Sequence, residues 1–125
     1  MNAVDMAKKA YGASATPVRT PRDTEYAAFA RITQRIRSSA SKGTEDFAGL
    51  ARALHDNRKL WTILATDVAG KTNGLPDQLR SQIIYLFGFV NLQSSKVLRG
   101  QASAEPLIEI NTAIMRGLRQ EARSE

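Results

Sequence analysis

The chain contains no cysteine. That absence removes disulfide scaffolds, thiolate metal sites and cysteine nucleophiles together. Histidine is nearly missing as well: His55 is the single one in 125 residues. A zinc site needs three or four ligands, and a hydrolytic triad needs a nucleophile and an orienting acid around its histidine. The neighbouring Asp56 points to another side of a helix, because positions i and i+1 do not face each other. His55 is therefore read as a surface side chain, and no enzyme activity, cofactor or metal is expected. Aromatic residues are scarce at 6%, so a core must rest on Leu, Ile, Val and Ala. Long apolar runs are lacking too. The longest, Ile83 to Val90, falls far short of the roughly 20 residues that cross a bilayer. The opening MNAVDMAKKAYG has no apolar block behind its lysines, unlike a secretory signal. The expectation is a cytoplasmic protein without membrane insertion.

Two short matches to catalytic motifs lack their context. Gly70-Lys71-Thr72 matches the end of a phosphate-binding loop, but position 65 is Ala65 instead of glycine and no strand precedes it. Ser39-Ala40-Ser41-Lys42 has the S-x-x-K spacing of some acyl hydrolases without their companion motifs. Both are read as chance.

What is present is the pattern of a globular helical chain. Hydrophobic residues make up 42%, close to the globular average. The net charge of +6 is unevenly spread. Residues 1–43 hold eight basic and three acidic side chains, giving +5; residues 44–125 hold ten and nine, giving +1. Such a basic segment suits nucleic acid, an acidic protein or anionic lipid, or is simply a solvated tail.

Residues 1–19, which mix Gly, Ala, Ser, Thr and Pro with few large apolar groups, predict a flexible basic arm. A single domain is expected over 20–120, and residues 121–125 should fray. Thr20-Pro21-Arg22-Asp23 opens the first helix with a cap, a first-turn proline and an acid in the positive first turn. Tyr26, Phe29, Ala30, Thr33, Ile36 and Ala40 follow at helical spacing, and Gly43 ends it. Thr44-Glu45-Asp46 opens the second helix, whose stripe is Phe47, Leu50, Ala51, Leu54, Trp61, Leu64, Ala65 and Val68. The segment 70–75 is the clearest loop. Pro76 begins the third helix, and Arg99-Gly100 closes it. Ser103 and Pro106 open the fourth, with Leu107, Ile108, Ile110, Ile114, Met115 and Leu118 on its apolar arc. Four helices with short connections predict an all-α fold, a four-helix antiparallel bundle.

Candidate functional residues are those that break these patterns. On helical wheels Asn57 and Arg58 fall inside the second apolar arc, and Asn111 sits in the middle of the fourth. Burying such groups unpaired costs on the order of 2–7 kcal/mol for a neutral amide. They are therefore paired with each other to fix register, turned outward where the second helix breaks near His55, or exposed to a partner. The third helix is apolar on two faces. Either it is the central helix of the bundle, the more economical reading, or Tyr85, Phe89 and Leu92 form a docking face at i, i+4, i+7.

Four stretches carry a family likeness: TPRDTEYAAFARIT at 20–33, ALHDNRKLWTILATDVA at 53–69, SSKVLRG at 94–100 and PLIEINTAIMRGLR at 106–119. In this order and spacing they resemble the FlaF family of flagellar biosynthesis regulators. The most specific parts are LHDNR-x-LW and LIEINTAIMRGL. The resemblance implies a cytoplasmic, non-enzymatic helical protein that promotes flagellin synthesis and secretion. It would bind monomeric flagellin before export, as a chaperone or adaptor, with FlbT or the export apparatus as further partners. Candidate partner-binding residues are Arg22, Tyr26, Asn57, Arg58, Tyr85, Phe89, Leu92 and Asn111. The alternative is an RNA-binding regulator of flagellin messenger RNA, supported by the basic first third and by Arg31 and Arg35 at i, i+4.

Overall fold

Each helix begins and ends where its local chemistry dictates. The computed structural model describes the backbone of residues 21–70 and 74–124 and the side chains of residues 24–70 and 74–119. The expected arm, 1–19, and the side chain of Arg22 lie outside the described residues. Helix α1 spans Pro21–Ser41. Gly43, at a positive φ of 62°, turns the chain into a short 3-10 turn, Gly43–Asp46. Helix α2 follows over Phe47–Ala69. Its cap differs from expectation. The extra turn carries the chain past Thr44, and the Asp46 carboxylate accepts the Gly49 N–H at 3.2 Å. Helix α3 spans Asp77–Leu98 and stops at Gly100, where φ is 73°. Helix α4 spans Glu105–Ser124, with the Ser103 hydroxyl accepting the Glu105 N–H at 3.0 Å. Its backbone stays helical beyond residue 121, where fraying is expected.

The α2 C-terminus is closed from the next helix. Arg80, in the first turn of α3, donates to the carbonyls of Val68 and Gly70 at 2.9 and 2.8 Å. Those carbonyls have no partner within α2 and carry the negative end of its dipole. Buried Leu75 pins the far side of the same connection.

The helices form a ring in which each packs on its sequence neighbours and α4 closes onto α1. Every adjacent pair is antiparallel, because residue numbers rise on one helix as they fall on the other. Phe29 meets Trp61 and Arg35 meets Asp56 between α1 and α2. Arg58 meets Asn91 and Arg80 meets Val68 between α2 and α3. Tyr26 meets Arg119 and Thr33 meets Asn111 between α1 and α4. No strand forms among the described residues. The fold is the expected all-α antiparallel bundle.

The core is Phe29, Ile36, Leu54, Trp61, Leu64, Ile83, Leu107 and Leu118, with smaller residues between them. Burial of each large apolar side chain contributes roughly 1.5–3 kcal/mol. Two expectations need correction. Helix α3 is not central: it occupies one side of the ring, with Ile84, Tyr85 and Leu92 exposed. Phe47, expected in the core, is 49% exposed, because the 3-10 turn places it before the first buried turn of α2.

Candidate functional site

The centre of the bundle holds a polar knot built on Asn111. Its amide nitrogen donates to Thr33 Oγ1 at 3.0 Å and to Asn57 Oδ1 at 2.8 Å. Its amide oxygen accepts the Trp61 indole N–H at 2.9 Å. Asn111 thus uses both donors and an acceptor. The diagonal helices α2 and α4, whose backbones do not approach each other, are joined through it. Asn57 and Asn111 are both 0% exposed. The reading of these two as partner-contact residues is therefore corrected. In this fold a docked partner does not reach them, and their role is to fix which helices face each other. Helix α2 is also unbroken at His55, so the outward-turn alternative fails. The asparagine lies inside the apolar arc because the opposing wall presents matching polar atoms.

Arg58 lies at the edge of this core. It is half-buried, and its Nε donates to Asn91 Oδ1 on α3 at 3.3 Å. Tyr26, also half-buried, stacks under the Arg119 guanidinium at 5.2 Å from the ring centroid. That cation–π contact ties the start of α1 to the end of α4.

A surface hollow lies between the start of α3 and the end of α4. It is an open groove of about 830 Å³, within the range of ligand clefts. Leu79, Tyr85, Leu86 and Ile114 supply its apolar walls, while Ala113 and Gly117 keep its α4 side shallow. At one point the walls meet: the Leu79 side chain reaches within 3.5 Å of where a Cβ on Gly117 would sit. Tyr85 is 76% exposed at the rim. Arg116 is the only charged group lining the groove among the described residues. Phe89 and Leu92 continue the α3 face beyond the groove, half-buried and 55% exposed respectively, and do not line it.

Of the expected site residues, the fold gathers Asn57 and Asn111 into one buried knot, with Thr33 and Trp61 as partners the sequence did not single out, and leaves Tyr85 alone in the groove. Sequence reasoning missed Leu79, Leu86, Ile114 and Gly117 as groove residues. Three of them sit on ordinary apolar stripes, and only the missing side chain at Gly117 hinted at a gap. Of the phosphate-loop match, Lys71 and Thr72 lie outside the described residues. Ser39 is buried, and its hydroxyl donates to Asp46 at 2.8 Å. No cluster of three metal-ligating side chains occurs among the described residues, and no helix there is long and apolar enough to cross a membrane.

The family model described as flagellar protein FlaF matches residues 7–118. No curated protein and no solved structure matches the chain.

Proposed function

We propose that this chain, which belongs to the FlaF family of flagellar proteins, binds monomeric flagellin in the cytoplasm before export. It would hold one amphipathic segment of flagellin in the α3–α4 groove, as a secretion chaperone or adaptor. The observation that carries this reading is the groove itself. An apolar trough between two antiparallel helices, floored by small residues, accepts a third helix by its apolar face. Flagellin terminal segments become amphipathic helices only in the filament, so before assembly they need cover. The positive charge at Arg116, the only one lining the groove among the described residues, favours a guest with an acidic residue at that end. Tyr85 is the anchor suited to the rim, since exposed aromatic side chains carry much of the energy in such contacts.

The test is calorimetric titration of the full chain with monomeric flagellin, repeated with Tyr85→Ala and with Arg116→Glu. Saturable one-to-one binding that weakens in both variants supports the reading. Binding that neither variant changes moves the contact off the groove, and absence of binding removes the reading altogether. Should the groove instead take FlbT or a component of the export apparatus, the same variants would lower that binding and leave flagellin unbound.

A further inference from the structure

The outer face of α3, turned away from the bundle, is ordered about one point. From Ser81 to Ser95 the helix carries no charged side chain, and Gly88 stands at the middle of that stretch. Four residues to either side of it are Ile84 and Leu92, 48% and 55% exposed. Seven residues to either side are Ser81 and Ser95, the first exposed and the second half-buried. Eleven residues to either side are Asp77, in the first turn, and Arg99, at the C-terminal cap, both exposed and opposite in charge. At about 100° per residue all of these fall within roughly 40° of Gly88, so they form one stripe along the helix. The Asp77 side chain stays 98% exposed, 3.5 Å from Arg80. Arg99 donates its Nε–H to Gln101 at 3.2 Å, and the terminal nitrogens of its fork remain to pair a carboxylate.

This order selects the occupant. In a two-fold pair each residue meets its complement twice, i on j and j on i. Two α3 helices crossing antiparallel at Gly88 would set Ile84 beside Leu92 of the second copy and Ser81 beside Ser95. The same crossing would set Asp77 beside Arg99 at both ends. A parallel pair would instead oppose Asp77 to Asp77 and Arg99 to Arg99, and like charges across an interface are costly. Small residues recur every seventh position, at Ser81, Gly88 and Ser95. That is the heptad spacing of a helix–helix seam, and small side chains bring the axes to the near end of the usual 8–10 Å separation. A Cβ at Gly88 would meet nothing within 4 Å in the single chain, so its bareness serves no contact inside the bundle. An unrelated partner gains nothing from the symmetry, whereas a second copy satisfies every position at once.

We infer that the outer face of α3 binds a second copy of this chain, as an antiparallel two-fold dimer centred on Gly88. Ile84 and Leu92 supply the apolar contact, Gly88 the close approach, and Asp77 with Arg99 the direction. The stripe borders the apolar groove at Ser81, but Arg116 and the α4 wall take no part in it. A strip about 33 Å long and one helix, ~10 Å, wide lies at the small end of specific interfaces. The dimer is therefore concentration-dependent, with a Kd in the micromolar range.

The experiment is sedimentation equilibrium of the full chain between about 1 and 300 μM. A monomer–dimer equilibrium within that range is expected. Gly88→Leu should weaken it at least tenfold without lowering the thermal unfolding temperature of the monomer, since the new side chain enters open space and leucine is the better helix former. Asp77→Arg and Arg99→Asp should each weaken it about threefold to tenfold at low salt. Mixing these two variants should restore association, because in the mixed pair both end contacts again join opposite charges. Arg116→Glu, in the groove, should change nothing. A chain that stays monomeric at every concentration overturns the inference. So does a dimer that Gly88→Leu leaves intact, which would place the contact elsewhere. A dimer that Arg116→Glu dissolves would place it in the groove, and failure of the mixed variants to associate would exclude the antiparallel pairing; either result overturns it too. Circular dichroism of each variant confirms that the helices are retained. Because the readout needs no flagellin, failure here leaves the flagellin reading standing, and the converse also holds.

Discussion

Between α1 and α2, Phe29 meets Trp61 edge to face at 5.6 Å and Arg35 grips Asp56; between α3 and α4, Leu79 rests against the bare Gly117 beside an open groove. Both seams join antiparallel helices through short connections. They differ in the volume and polarity of what meets there. Large rings and a polar knot close the first seam in one arrangement. The second is left partly open, with apolar walls lining a groove. The knot includes Thr33 from α1, Asn57 and Trp61 from α2 and Asn111 from α4, but nothing from α3. The helix that forms one groove wall is thus the one least tied to the centre. Its buried Ser94 hydroxyl and the Asn57 amide nitrogen both lack a hydrogen-bond partner among the described residues. The tightest packing and the open groove lie on different sides of one ring.

The sharpest way to break this contrast is to cut the knot. Asn111→Ala strands Thr33, Asn57 and the Trp61 indole in the core, and each unpaired buried group costs about 1–3 kcal/mol. Unfolding in urea should show a loss of about 3–5 kcal/mol. A loss below about 1 kcal/mol would mean that water replaces the amide and that the knot does not lock the bundle.

Filling the groove acts on the other side. A side chain at Gly117 points at Leu79, with a Cβ there in ordinary contact at 3.5 Å. Gly117→Leu should therefore raise helix stability by up to about 1 kcal/mol while weakening flagellin binding at least tenfold, or about 1.4 kcal/mol. Unchanged affinity in a stabilised variant would separate the groove from function.

Smaller effects test the joints between the two sides. Gly100 holds a left-handed turn at φ 73° that lets α4 fold back on α3. Gly100→Ala should cost about 1 kcal/mol in urea, since a Cβ is strained there. The smallest effect belongs to the acid limb of the α1–α2 seam. The Ser39 hydroxyl holds the Asp46 carboxyl below the usual range, and the Arg35 hydrogen bond does the same for Asp56. A carboxyl whose folded pKa is lowered stabilises the fold above its unfolded pKa and loses that contribution as pH falls through the folded value. The thermal unfolding temperature should fall as pH drops below about 4. Arg35→Gln and Ser39→Ala should each flatten that decline, and an unchanged decline would show that these contacts are screened.

Much of this was legible before the fold was known. The caps at Pro21 and Gly100, the loop before Pro76 and the apolar stripes give four helices and their antiparallel order. Asn111 was legible as an anomaly, and so was Asn57, because an amide within an apolar arc demands an explanation. That Trp61 and Thr33 supply the explanation was hidden. They lie 50 and 78 positions away in the chain, and a helical wheel carries no information about the opposing wall. Tyr85 was legible as an exposed candidate, but Phe89 and Leu92 were grouped with it by spacing alone. The groove depends on α4 as much as on α3.

The sequence by itself determined where helices start, stop and turn, since capping, φ restriction and 3.6-residue periodicity act within a few residues. It also determined the excess of positive charge in the first third. Only the tertiary structure decided that Asn57 and Asn111 are sealed partners instead of a contact surface. It alone placed α3 at the side of the ring and left an open groove beside α4. Those outcomes follow from which helix faces which, a choice made by packing volumes and hydrogen-bond complements between residues far apart in the chain.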